Sequence, residues 1–318
     1  MGAPAPLISI PEAPTPEGGQ AEWYEGKGGL RLRAALFPAQ GPPRGSVVLS
    51  PGRTEPIEKY FEIIADLTAR GFQVLAHDWR GQGLSQRLLA DPLKGHAKDP
   101  EDFLADHRAL LDAFGARLTQ PWLALGHSMG GCLVLLALAS GEDRFAGAAL
   151  SAPMLMVSTT PWPAQAASAL VWLAGRLGRS EDFLTPRYDP LADRFAADRL
   201  THDQVRYDRY KAQLRACPEL ALSAPTWGWL GFALRAGAAI AAPGALEAVD
   251  IPVTIVIAGD DRLVVNAASR AAAARLPQGR CTEIPGAFHE ILMETDDRRA
   301  QFWQAFDTMA DQVSPRRA

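Results

Sequence analysis

The chain has no run of the roughly 20 apolar residues that a membrane-spanning helix needs. The nearest stretch, 162–177, is broken by Pro163, Gln165 and Arg176. Cysteine is scarce: Cys132, Cys217 and Cys281 are the only three. An odd, widely spaced set builds neither a disulfide framework nor a paired metal site, and each is expected as a small buried apolar residue. The six histidines have no zinc-like spacing, and no Gly-x-Gly-x-x-Gly follows a strand, so neither metal nor organic cofactor is expected. The formal charge is -4 with no basic stripe, which argues against nucleic acid as a partner. Residues 1–20 are rich in Pro, Gly and Ala and lack the positive start and apolar stretch of a signal peptide. They are expected to form a loose arm on a cytoplasmic protein, with peripheral membrane contact left open. Nothing in the sequence speaks to oligomeric state.

What the chain does have is 318 residues, enough for one large α/β core with or without an insertion. Its most informative segment is Gly126-His127-Ser128-Met129-Gly130. An apolar run, Trp122-Leu123-Ala124-Leu125, precedes it and a helix-like run, 132–139, follows. Strand, sharp turn and helix would hold the Ser128 hydroxyl exposed at the C-terminal edge of a sheet. The turn crowds its backbone, so glycine is needed on both sides. The helix N-terminus behind it favours a developing oxyanion.

Such a serine needs a base and an acid, and both follow in the chain. Pro252-Val253-Thr254-Ile255-Val256-Ile257-Ala258 reads as a buried strand and runs into Gly259-Asp260-Asp261. A short strand, Cys281-Thr282-Glu283-Ile284, runs into Pro285-Gly286-Ala287-Phe288-His289. Side chains after successive strand ends can reach a serine on the same sheet edge. The order Ser, Asp, His is that of the α/β-hydrolase fold.

The rest of the chain fits an α/β class. Two strands within 21–37 are joined by Gly26-Lys27-Gly28-Gly29, a hairpin signal. Further strands are expected at 46–50 and 72–76 and helices at 56–70 and 99–118, giving a mostly parallel sheet covered on both faces. The alternation stops after Ser151-Ala152-Pro153 and resumes at Ile251. Between them lies a helical, Pro-punctuated stretch with four of the eight tryptophans. The expected organisation is a core of 21–153 and 244–318 with a helical cap, 154–243, inserted over the serine.

These segments resemble the branch of the α/β hydrolases that contains bacterial L2-type lysophospholipases and monoacylglycerol lipases. The carriers are Gly52-Arg53-Thr54-Glu55, His77-Asp78-Trp79-Arg80-Gly81-Gln82-Gly83-Leu84-Ser85, Gly126-His127-Ser128-Met129-Gly130-Gly131, Ser151-Ala152-Pro153-Met154 and Asp261-Arg262-Leu263-Val264. Within the cap, Pro225-Thr226-Trp227-Gly228-Trp229-Leu230 looks like the lysophospholipase side. One departure is Pro51-Gly52, where many relatives have His-Gly; that histidine is not a triad member.

The resemblance implies Ser128 as nucleophile, His289 as general base and then acid, and Asp261 rather than its rival Asp260 as the acid that orients His289. His127 is expected to point away from the serine, and His77 to be structural. Backbone N–H groups of Arg53 and Met129 would form the oxyanion hole, where losing one donor typically costs about 3 kcal/mol. The Arg53 side chain either faces solvent or meets a phosphate. Asp78 and Arg80 are expected to pin their loop by pairing. Met154, Trp227 and Trp229 are the candidate substrate contacts, alongside Leu155, Trp162, Leu170, Trp172 and Phe232. All of these apolar residues could instead form the cap's own core. The cap carries nine Arg and one Lys against eight acids. That balance either attracts a phosphate headgroup or reflects solvated faces at Arg199, Arg206, Arg209 and Arg215. The implied activity is ester hydrolysis of a single-chain lipid, with lysophospholipid first and monoacylglycerol or a general carboxylic ester as the alternative. A non-catalytic lipid-binding protein of this fold is the remaining reading. A carboxylate-nucleophile chemistry is disfavoured, because a serine sits at the turn.

Overall fold

In a computed structural model of the chain, residues 2–159, 163–192, 194–195 and 200–315 are described. Trp162 and Arg199 lie outside them. A nine-stranded sheet organises the molecule. Its strands are β1 (Pro4–Ala5), β2 (Gln20–Glu25), β3 (Arg31–Phe37), β4 (Gly45–Ser50), β5 (Phe72–His77), β6 (Trp122–His127), β7 (Phe145–Ser151), β8 (Val253–Ala258) and β9 (Gly279–Ile284). The spatial order is β1-β2-β3-β5-β4-β6-β7-β8-β9. The first strands and the β3/β5 pair are antiparallel; from β5 onward every pair is parallel. The parallel strands β4, β6 and β8 are buried along their whole length, which explains their predominantly apolar, uncharged character.

Helices cover both faces. They are α1 (Phe61–Ala69), α2 (Pro100–Phe114), α3 (Met129–Ala139), α4 (Ala164–Arg176), α5 (Gln204–Ala216), α6 (Trp227–Ala241), α7 (Asn266–Arg275) and α8 (Asp296–Val313). α1 and α8 pack one face, with Ile64, Leu67, Phe302 and Phe306 in a common core. α2, α3 and α7 pack the other. α3 is apolar on all sides because α2 and α6 cover what the sheet does not. The expected helix 56–70 begins as a 3-10 turn, Ile57–Tyr60, before α1. The expected helix 99–118 is capped by the Asp99 side chain and ends in a 3-10 turn at Gly115–Arg117.

Two expectations change here. The N-terminal arm is not loose: Pro4 and Ala5 pair with β2, Ile8 N–H donates to Glu58, and Arg33 donates to Pro6 O. The exposed polar edge of β2 is thereby partnered. The cysteines are not uniformly buried either. Cys132 is, but Cys217 is half-buried and Cys281 is exposed on the edge strand β9.

The helices α4–α6 are inserted between β7 and β8. α6 enters the core through Phe232, Ala236 and Ile240. α5 is clasped to the sheet-covering helices by charge. Arg206 pairs with Glu62 of α1 at 2.7 Å and Asp296 of α8 at 2.6 Å, and Arg209 also pairs with Glu62. Arg206 and Arg209 are therefore engaged with the core, rather than solvated or free to attract a headgroup.

Candidate active site

Ser128 sits between β6 and α3 at φ 50°, ψ -114°. A side-chain-bearing residue holds that conformation only where its surroundings over-determine it. Here Ser128 N–H donates to Ser151 O at 3.0 Å, and Ser128 O accepts from Cys132 N at 3.0 Å and Met154 N at 2.9 Å. Space explains the neighbouring glycine. A Cβ on Gly130 would lie 2.5 Å from Pro51 O and closer still to Ser50 O, forcing α3 away from β4.

His289 lies in the loop after β9. Its Nε2 is 2.8 Å from Ser128 Oγ and its Nδ1 is 2.7 Å from Asp261 Oδ2. The second Asp261 oxygen accepts from Leu263 N at 2.8 Å and Val264 N at 3.1 Å. Asp260, by contrast, is exposed and bonds through its main chain to Ala287 O. The Asp261 side chain is fully shielded from solvent. Burial by itself would raise its pKa. The hydrogen bond and charge of His289, with the two loop N–H groups, outweigh that and hold the carboxyl below the usual aspartate range.

His127 does not reach toward the serine hydroxyl. Its Nδ1 lies 3.1 Å from Ser151 O, and its ring packs 5.1 Å from that of His289. Burial pushes its pKa down despite the nearby Glu55 carboxylate.

Arg53 occupies the loop after β4, and Met129 opens α3. Among the described residues no acceptor appears for either main-chain N–H. A buried frame fixes their loop. Glu55 accepts from Gly52 N at 2.6 Å, Tyr60 Oη at 2.5 Å and Lys59 Nζ at 2.7 Å. Burial alone would raise the Glu55 pKa, but Lys59, His127 and these hydrogen bonds bring it down to about 2. Lys59 also reaches Glu290, next to His289, at 2.7 Å, so one ammonium joins the two loops that face Ser128. Gln82 Oε1 accepts from Thr54 N at 2.7 Å, and its amide lies 3.7 Å from Met129 Sδ. Trp79 Nε1 donates to Pro51 O at 2.8 Å.

The motif around Asp78 thus holds the loops that carry the site. The sequence suggests that Asp78 and Arg80 pin this loop together, but each instead reaches a partner elsewhere in the chain. Asp78 accepts from Arg33 at 2.7 Å, and Arg80 donates to Asp106 on α2 at 2.7 Å. The partners are distant in sequence, and adjacency was the only clue available. Lys59 and Gln82 were missed as positioning residues; the four-residue spacing of Glu55 and Lys59 was the available signal.

The substrate candidates separate. Met154 bonds Ser128 through its main chain while its side chain is buried in the core. Trp229 faces Arg53, whose guanidinium lies 5.5 Å from the ring centre. Trp227 is not brought to the site: it lines an outer groove with His96, Trp172 and Arg235. Residues two apart on a helix point about 200° away from each other, so Trp227 and Trp229 cannot share a face. Leu155 and Phe232 are core residues, whereas Leu170 and Trp172 are exposed. An apolar cavity of about 340 Å³ lies beside this region, bordered by Leu155, Met156, Val157, Ala233, Ile240 and Ala268. Among the described residues no cluster of metal-ligating side chains occurs.

A serine presented this way on this sheet defines the class: a serine hydrolase of the α/β-hydrolase fold. Within that class the chain belongs to the hydrolase family described as Serine aminopeptidase, S33, whose model matches residues 41–296. It is 33% identical to lysophospholipase L2 of Escherichia coli K12 over 291 residues, covering 87% of this chain and 83% of that protein. It is 27% identical to a monoacylglycerol lipase of Mycolicibacterium smegmatis, covering 86% of this chain and 91% of that one. The fold is also that of a soluble variant of monoglyceride lipase from Saccharomyces cerevisiae. The TM-score is 0.73 at 20% identity, over 92% of this chain and 95% of that one. The family places the chain among the carboxylic-ester hydrolases.

Proposed function

We propose that the chain hydrolyses the acyl ester of single-chain lipids, lysophospholipids first, through a Ser128–His289–Asp261 triad. The observation that carries this is the unbroken pair of contacts at 2.8 and 2.7 Å from Ser128 Oγ through the His289 ring to Asp261. Ser128 Oγ attacks the acyl carbonyl carbon as its proton passes to His289 Nε2. Asp261 fixes the tautomer and stabilises the imidazolium. The carbonyl oxygen, now an oxyanion, takes the N–H groups of Arg53 and Met129, which need no reorganisation. His289 returns the proton to the leaving glycerol oxygen, and an acyl-enzyme remains on Ser128. Water, deprotonated by His289, attacks the acyl carbon, and Ser128 recovers its proton as the fatty acid leaves.

Residues 154–243 act in this reading as a cap that selects substrate, on a core of 21–153 and 244–318. The apolar cavity beside Leu155 offers volume for an acyl chain. The lysophospholipase relative, the more similar of the two named, supports a phosphate-bearing headgroup. The monoacylglycerol lipase relative supports a neutral one as the second reading. Steady-state hydrolysis of a lysophosphatidylcholine and its chain-matched monoacylglycerol, by wild type and Ser128→Ala, decides between them. Preference for the phospholipid, lost in the variant, is expected. Equal rates would make the enzyme a neutral-lipid esterase.

A further inference from the structure

Arg53 carries a second feature besides its main-chain N–H. Its side chain runs under the inserted helices, where Nη2 donates to Ser223 O and the Tyr188 hydroxyl is its side-chain partner. No carboxylate pairs with it among the described residues. Its Nε is fully buried without a hydrogen-bond partner. The indole N–H of Trp229, whose ring it faces, is likewise buried and unpartnered. Burial holds the guanidinium pKa below the usual arginine value. The Nε/Nη2 edge packs closely on Gly95, where an added Cβ would lie 2.6 Å from Nη2 and 2.9 Å from Nε.

A guanidinium without a counter-charge, with a buried donor left unmet, is costly, and so is the unmet indole donor beside it. Two such donors on adjacent side chains lack an acceptor, and one belongs to a cation. The chemistry that fits is an anionic oxygen ligand, and a phosphate ester matches a guanidinium well. Arg53 also fixes where that ligand belongs. In the ester-hydrolase reading its main-chain N–H meets the oxyanion, so a group held by its side chain would lie in the neighbourhood of the ester being cleaved.

We propose that Arg53, with the Trp229 indole N–H, binds the headgroup phosphate of the substrate and sets the preference for lysophospholipid over monoacylglycerol. This rests on the ester-hydrolase reading of Ser128 given above. Arg53 thereby couples recognition to chemistry: its side chain holds the phosphate while its N–H meets the oxyanion.

The test is the ratio of kcat/KM for lysophosphatidylcholine to that for the chain-matched monoacylglycerol, which cancels any loss common to both. It is measured in wild type, Arg53→Lys, Arg53→Met and Trp229→Phe. Arg53→Met should lower the ratio about tenfold or more, and Arg53→Lys less, because it keeps charge but not the fork. Trp229→Phe keeps the ring and should lower the ratio about threefold. It decides the question if Arg53→Met fails to fold. A wild type that prefers the phospholipid, with variants that lose both substrates in proportion, would make Arg53 a tether of the inserted helices and overturn the proposal. A wild type without preference would overturn the lysophospholipid reading itself. Inorganic phosphate should affect monoacylglycerol turnover only above about 1 mM, since it lacks the acyl chain's contribution to binding. Tighter, Arg53-dependent binding of free phosphate would mark a free-anion site and overturn the headgroup assignment.

Discussion

Ser128 and His107 illustrate two fates of a polar residue in this core. Ser128 is held in a strained conformation by three main-chain hydrogen bonds and has its hydroxyl engaged by His289. His107 is buried on α2 with both ring nitrogens unpartnered, and its ring stacks 5.9 Å from Phe145. Burial brings its pKa down to about 4. The unfolded chain, with an ordinary histidine near pH 6.5, binds more protons between these values. Stability from a neutral His107 is therefore complete above about pH 6.5 and is lost as pH falls toward 4. Phenylalanine keeps the packing and cannot titrate. Urea unfolding at pH 7 and pH 4.5 should show wild type losing about 2 kcal/mol more than His107→Phe over that interval. Parallel losses would show that His107 contributes nothing to acid sensitivity. The burial of His107 was legible from the helix face it shares with Phe103, Leu110, Leu111 and Phe114, but its missing partners were not, whereas Ser128 announced itself through the glycines its turn requires.

Loops at strand ends set the site, and their legibility depended on how local their bonds are. The Asp261 loop after β8 could be read from the family pattern, in which the acid directly precedes the Arg262-Leu263-Val264 step; in the structure N–H groups two and three residues on bond that carboxylate. With Asp260 exposed beside it, the two acids make a sharp contrast. Asp261→Asn should lower kcat about 10⁴-fold by losing the His289 tautomer. Asp260→Asn should leave kcat within about twofold, as surface changes usually do. Comparable losses in both would contradict the assignment. Long-range bonds were not legible. Lys59 bridges the Glu55 and Glu290 loops, Arg206 clasps α5 to α1 and α8, and Arg33 joins β3 to Asp78 and Glu58. In each case the partners lie far apart in the chain or were read as solvated. The opposed faces of Trp227 and Trp229 were legible in principle, once their stretch is taken as a helix.

Across the whole molecule, alternating strands and helices with a silent stretch in the middle prescribe the architecture: a parallel sheet with helices inserted between β7 and β8. What the pattern did not carry is how the ends are fastened. The N-terminal residues add an edge strand, and α6 contributes to the core as well as to the insertion. The outcome brings three loops from β6, β8 and β9 to one sheet edge, where Ser128, Asp261 and His289 meet. The most direct measurement is fluorophosphonate titration of the enzyme while lysophosphatidylcholine hydrolysis is followed. One label per chain on Ser128, activity falling in proportion, and no label on Ser128→Ala are the predicted results. Label elsewhere, or hydrolysis persisting in fully labelled protein, would contradict Ser128 as the nucleophile.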